Sequence, residues 1–167
     1  TFYVDPQASL AAYRRAHALD SENIAAIEFI GQLELIFGNL TAAEDAFRQV
    51  LDLGRTQEDQ RAIAVGYGSL GVISMARGDW AAAGDYFTQA LALDEELGRK
   101  AGMAMQNGNL GVVAVKRDDF DAAVDYFNQA LARYEELGRK EGMALIYANL
   151  GAVAFFWGDL LEARQFW

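Results

Sequence analysis

Few residues in this chain could do chemistry on their own. Cysteine is absent and histidine occurs once, as His17, among 167 residues. A thiolate nucleophile, a disulfide framework and a Cys/His metal cage are therefore excluded, and a Ser-His-Asp arrangement would have to be built on that single imidazole. His17 reads as a surface side chain of a helix. Two other groupings have the form of a site. Gly66-Tyr67-Gly68-Ser69-Leu70-Gly71 spells the GxGxxG of a dinucleotide phosphate cradle. That cradle works only where a strand ends and a helix opens at the glycines. Here the run sits inside a helical pattern, so Gly71 reads as a helix-contact position, while Gly66 and Gly68 permit either close contact or a bend. Asp118, Asp119, Asp121 and Asp125 bring carboxylates together, but without the order, central glycine and terminal glutamate of a calcium loop. Acids at a helix start are what capping and the helix dipole favour. No nucleophile converges with a base, so no enzyme, cofactor or metal is expected.

Composition narrows the classes further. The chain is 53% hydrophobic with one proline, which argues against disorder, and its 14 basic and 24 acidic residues leave a net charge of −10. A polyanion binder needs clustered Lys and Arg, so nucleic acid is not an expected partner and a neutral or basic one is. No apolar run approaches the ~18 residues of a membrane span, and residues 1–30 lack a signal-peptide pattern. The chain reads as soluble, with no membrane partner and a cytoplasmic location by default. Thr1 in place of an initiator Met predicts a segment of a longer or processed chain.

The elements that must position any site come from a repeat. Shifting the sequence by forty residues lays Leu70-Gly71-Val72 on Leu110-Gly111-Val112. The same shift lays Ala82-Ala83 and Asp85-Tyr86-Phe87 on Ala122-Ala123 and Asp125-Tyr126-Phe127. Glu95-Glu96-Leu97-Gly98-Arg99-Lys100 recurs unchanged at Glu135-Glu136-Leu137-Gly138-Arg139-Lys140. Ile30-Gly31 and Leu150-Gly151 fall into the same register, giving four copies. Within a copy, Tyr67, Leu70, Gly71 and Ser74 lie at helical spacing, and Ala83, Phe87 and Ala90 form a second stripe. Each copy is thus two helices. Gly38, Gly78 and Gly158 are placed to end the first, and Asn39, Asp79 and Asp159 to cap the second. Thr41-Ala42-Ala43-Glu44 has the form of a capping box, and Gly-Arg-Lys after Glu-Glu-Leu reads as a helix end favoured by its cations or as cations paired with the acids beside them. Nothing argues for strands.

These stripes resemble the tetratricopeptide repeat (TPR), with its aromatic, Leu-Gly, then Ala and an aromatic four residues on. Tyr67, Leu70-Gly71, Ala83 and Phe87 fit it, as do Tyr147, Leu150-Gly151, Ala163 and Trp167. One copy carries Asn107 at the first aromatic position, and the first copy is the most diverged, with Ile27, Ile30-Gly31, Ala43 and Phe47. Asp5-Pro6, Ser9, Tyr13 and Ala16 resemble a capped second helix. At forty residues the copies exceed the usual 34, a length similar to kinesin light chain, spindle-orientation adaptors and bacterial regulator sensor domains. The implied fold is all-α, a right-handed α-solenoid of antiparallel helix pairs. Its divisions are a partial repeat over 1–23 (second helix only), repeats over 24–61, 62–101 and 102–141, and a partial repeat over 142–167 whose second helix starts near residue 160.

The resemblance also implies a function. In tetratricopeptide domains the first helices line a concave groove that holds a peptide, and register carries that role here to Asn109 and Asn149, with Phe29 and Ser69 at the equivalent positions. An amide offers two donors and an acceptor, so it can hold an extended main chain without reading its sequence; the alternative is an Asn bonded to a neighbouring helix. The walls implied are Ala25, Val65, Met105 and Leu145; Gln32, Val72, Val112 and Ala152; and Leu35, Met75, Val115 and Phe155. Only Lys116 lies near the basic clamp of chaperone-tail binders, which disfavours such a tail. Phe155, Phe156 and Trp157 either cover a ligand or bury against a following helix. The expected function is a non-enzymatic scaffold binding a peptide or partner segment. The rival is a sensor or self-assembly segment of a larger signalling or transcriptional regulator, self-associating through open solenoid ends.

Overall fold

The computed structural model describes residues 5–165, and side chains as far as residue 158. Eight helices follow one another: α1 (Pro6–Leu19), α2 (Ile24–Ile36), α3 (Leu40–Thr56), α4 (Gln60–Ala76), α5 (Trp80–Glu96), α6 (Lys100–Lys116), α7 (Phe120–Glu136) and α8 (Lys140–Gln165), with no strand among the described residues. Each packs on its neighbours in chain order, and α4 also touches α6 while α6 touches α8. The result is an all-α solenoid with α4, α6 and α8 sharing one row.

The turns explain the even spacing of these helices. Gly38, Gly78, Gly98 and Gly138 take φ between 63° and 79°, and Glu58 and Asp118 adopt the same left-handed region at 56° and 58°. At all six turns the next backbone N–H reaches back to the carbonyl five residues earlier, as from Asp79 to Ser74 at 2.9 Å and from Arg99 to Asp94 at 2.8 Å. This is the Schellman closure, which satisfies carbonyls that the helix end would leave unpaired. Asp118 is therefore the turn residue, and Asp119 caps α7 by accepting from the Ala122 N–H at 3.1 Å. No group of three or more potential metal-ligating side chains forms among the described residues.

Local expectations divide. Asp79 caps α5 through the Ala82 N–H, and Asp5 caps α1 with Pro6 in its first turn. Asn39 holds the N-cap position of α3 but makes no side-chain cap; its amide instead donates to the Glu34 carboxylate at 2.7 Å. The capping box at Thr41 does not form, because α3 already opens at Leu40 and Glu44 accepts from Arg48 and Arg77. Gly-Arg-Lys does not close a helix with cations either: Gly98 makes the turn, Arg99 is the N-cap and Lys100 opens α6. Lys100 pairs with Glu136 at 3.0 Å instead. The turn expected at Gly158-Asp159-Leu160 is replaced by a continuous 26-residue α8. Gly158 keeps a non-positive φ there, and the pattern's Phe166 and Trp167 lie outside the described residues.

The core repeats with the sequence. Phe47, Phe87 and Phe127 are fully buried, as are Ala43, Ala83 and Ala123. Each ring packs against the helix before it at the glycine of its Ile-Gly or Leu-Gly pair. A Cβ on Gly31, Gly71 or Gly111 would meet the ring at 2.8, 2.5 and 2.5 Å. A glycine here brings two helices close enough for a phenyl ring to fill the gap between them. The GxGxxG run is accordingly the middle of α4, where Gly66 meets Leu51, Gly68 meets Gln106 and Gly71 meets Phe87.

Candidate functional site

The inner row of first helices, α2, α4 and α6, encloses an open cavity of about 230 Å³. Gln32 and Leu35 come from α2, Ala64, Val65, Gly68, Ser69 and Val72 from α4, and Ala101, Gly102, Met105, Gln106 and Asn109 from α6. Of the residues expected to line a groove, Gln32, Ser69, Val72, Met105 and Asn109 therefore converge on one space. Val112 is half-buried and packs against the core between α6, α7 and α8. Asn149 and Phe155 lie on α8, outside the cavity; Phe155 is 66% exposed with its ring edge-on to Phe156 at 5.6 Å. Phe29 stacks on Tyr13 of α1 at 4.7 Å. His17 is half-buried, with Nδ1 lacking a hydrogen-bond partner.

Register-equivalent side chains differ at the junctions around this cavity. Where α5 carries Asp94 against Gly102, the preceding junction has Gly54 against Ala62 and the following one has Tyr134 against Gly142. Tyr134 and Ile146 occupy at the later junction the register places of Asp94 and Gln106; a Cβ on Gly108 would meet Ile146 at 3.3 Å and one on Gly68 would meet Gln106 at 2.9 Å. Gly68, Ala64 and Gly102 remove further volume from the cavity's walls.

The polar floor comes from residues that the repeat pattern does not single out. Asp94 is 1% exposed at the end of α5. Its Oδ1 lies 2.9 Å from Arg99 Nη1, yet neither atom is aligned for a hydrogen bond. That pair is a charge contact and not a directed bond, since the guanidinium N–H does not point along it. Gln106 Nε2 donates to Asp94 Oδ2 at a long 3.4 Å. Burial pushes the Asp94 carboxyl above its ordinary value, with Arg99 and then the Gln106 bond pulling it partly back. The signal that could have found Asp94 is its break with the repeat: a charged residue stands in a stripe otherwise occupied by Gly54 and Tyr134.

Other buried charges pin the inner helices. Glu28 accepts two bonds from Arg61, each at 3.0 Å, tying α2 to the start of α4. Glu34 receives Arg14 from α1 as well as Asn39. On the opposite surface Arg48 and Arg77 hold the Glu44 carboxyl below its usual range by hydrogen bonding. Asn109 and Asn149 form no side-chain hydrogen bond to a neighbouring helix among the described residues, unlike Asn39.

Comparison with known proteins accords with this architecture. No curated protein matches the chain in sequence. Among solved structures, BtubC (BKLC) from P. vanneervenii is similar at a TM-score of 0.72 and 22% identity over 90% of this chain, which spans 63% of that protein. Two structures of MamA are similar at a TM-score of 0.59 each, with 19% and 17% identity over 93% and 90% of this chain, covering 81% and 89% of theirs. At these identities the likeness is one of fold. The tetratricopeptide repeat profile matches residues 62–136 and 102–166, and with Leu70-Gly71 facing Phe87 and Leu110-Gly111 facing Phe127, the chain belongs to the tetratricopeptide repeat family.

Proposed function

We propose that this chain is a non-enzymatic interaction scaffold that holds an extended segment of a partner protein along α2, α4 and α6. One observation carries the reading: five side chains placed there by register, Gln32, Ser69, Val72, Met105 and Asn109, open onto a single cavity. Burial of partner side chains against Val72 and Met105 supplies affinity at roughly 25 cal/mol per Å² of apolar area. The unbonded Asn109 amide, and Asn149 farther along the row, hold the partner's backbone. Phe155 extends the apolar track onto α8, and Val112 supports it from below. The net charge of −10 favours a neutral or basic partner and steers its approach.

The test begins with selection of random peptides on the immobilised chain. Retained peptides are then titrated against wild type, Asn109→Ala with Asn149→Ala, and an outer-face control, Gln129→Ala. The reading expects the double variant to bind at least tenfold more weakly with unchanged helicity, and the control to bind normally. Equal affinity for all three would remove the groove from the account.

Self-assembly is favoured by a different observation. Leu145, Tyr147, Phe155 and Phe156 are all exposed on α8, and large apolar side chains left open along one helix mark an interaction surface. Sedimentation over a hundredfold concentration range decides it: a constant monomer mass rules that role out.

A further inference from the structure

The two ends of the solenoid are complementary. At one end, α8 is a first helix whose Gly151 has the register of Gly71 and Gly111, the glycines on which Phe87 and Phe127 pack. It continues through Gly158 instead of turning back, and nothing lies within 4 Å of a Cβ on Gly151 among the described residues. The stripe around that glycine, Ala144, Tyr147, Gly151 and Ala154, is exposed, while its counterpart on α6, Ala104, Asn107, Gly111 and Ala114, is buried. At the other end, α1 is a second helix without a first. Asp5 caps it as Asp79 and Asp119 cap α5 and α7, and Tyr13 follows that cap at the distance at which Phe87 and Phe127 follow theirs. Those two rings are at most 1% exposed. Tyr13, with no helix before it, is half-buried and stacked on Phe29.

Neither face is capped against solvent. Solenoids are ordinarily closed by a terminal repeat with a polar outer face, but the α8 stripe and the register-matched α1 positions Ser9, Ala12, Tyr13 and Ala16 carry no charge in a chain that is 23% charged. Two α8 faces brought together would set glycine against glycine with no ring for the gap. Two α1 faces would set ring against ring with no glycine to receive either, since α1 contains none. Only α1 against α8 supplies ring and glycine together. We propose that copies of this chain associate head to tail, α1 of one copy lying on α8 of the next as the second helix of its pair, with the Tyr13 ring over Gly151. The contact repeats the packing of α4 on α5 and of α6 on α7, the most extensive helix pairings among the described residues. The inner row then runs on across the join. Charge favours the approach, because α1 brings Arg14 and Arg15 and no acid to a chain of net charge −10. This rests on the self-assembly reading and adds which surfaces meet.

A contact between two different surfaces does not close at two copies, so the wild-type mass in sedimentation should grow past the dimer as concentration rises. Two variants block one end each. Gly151→Leu fills the seat on α8, and Ala12→Glu puts a charge on the docking face of α1; both positions are exposed on helices, so helicity should match wild type. Either change should raise the concentration needed for association roughly tenfold or more, the effect of overpacking or an unpaired charge in a packed contact. Each variant alone is then a monomer where wild type associates. Their equimolar mixture should form a dimer and stop there, because one copy keeps its tail and the other its head. Ala12→Glu associating like wild type, or a mixture that stays monomeric, overturns the head-to-tail contact. A wild-type mass that stops at the dimer marks a closed contact and overturns it without either variant, while leaving self-assembly in place. A constant wild-type monomer, the result if residues after Gly158 fold back onto α8 of their own chain, overturns both.

Discussion

Replacing glycine by alanine at two register-equivalent positions should change stability in opposite directions. Gly71 and Gly151 both follow the Leu of a Leu-Gly pair inside a first helix. At Gly71 a Cβ would land 2.5 Å from Phe87 Cε1, whereas at Gly151 nothing lies within 4 Å among the described residues. Carbon atoms sit best at roughly 3.5–4.0 Å, and Phe87 is fully buried, so its ring cannot swing clear. Overpacking of that kind costs about 1–3 kcal/mol. Alanine returns about 1 kcal/mol of helix propensity at both sites. Gly151→Ala should therefore gain about 1 kcal/mol and Gly71→Ala should lose about 1 kcal/mol, with the overpacking cost as the difference between them. Urea unfolding followed by far-UV circular dichroism reads this as midpoints moving apart at constant slope. In a chain of this size each kcal/mol moves the Tm by about 2–4 °C. Equal shifts of the same sign would falsify the claim that ring-on-glycine contacts set the spacing of the helix pairs.

Four further outcomes follow from particular contacts. Asp94 has a raised carboxyl pKa, so the folded chain keeps that proton to higher pH than the unfolded chain does. The stability of wild type relative to Asp94→Asn should fall as pH rises from about 4 and level off once the folded group has ionised. Glu44 is lowered by its Arg48 and Arg77 bonds and should behave oppositely. Wild type relative to Glu44→Gln should be more stable above about pH 4.3 and lose that margin on acidification; urea midpoints across the pH range check both signs. Gly102→Ala would drive a Cβ into the Asp94 carboxylate, so it should expel Asp94 from the floor and cost about 1–3 kcal/mol in the same unfolding assay. Arg61→Ala leaves the buried Glu28 without its two bonds and should cost about 2 kcal/mol. Arg48→Ala, on an exposed i,i+4 pair, should cost under about 0.5 kcal/mol, and thermal unfolding of the two variants side by side separates them.

The architecture was legible because a single unit recurs. Once Leu70-Gly71 and Phe87 are seen to reappear forty residues on, the helix pairs and turns up to the start of α8 follow from period and turn chemistry, whereas the turn expected at Gly158 does not form. What was not legible depended on one copy differing from the next. Asp94 stands where Gly54 and Tyr134 stand in the adjacent copies, so an average over copies hides the residue that forms the cavity floor. Asn39 occupies a cap position, but a buried carboxylate at Glu34 competes for its amide more strongly than the helix terminus does. Asn149 and Phe155 share a register with cavity residues yet lie outside it, because they stand on α8 while the cavity is lined from α2, α4 and α6. Gly158 can turn the chain or continue a helix, and in this structure α8 continues through it.

Site-specific photo-crosslinking tests the central claim most directly. A photoreactive phenylalanine placed at Met105, which is 52% exposed beside the cavity, should capture a selected peptide. The same group at Gln129, exposed on α7, should not capture it, and excess unlabelled peptide should abolish the adduct at Met105. Capture at Gln129 with none at Met105 would place the bound segment on the outer face and contradict the account.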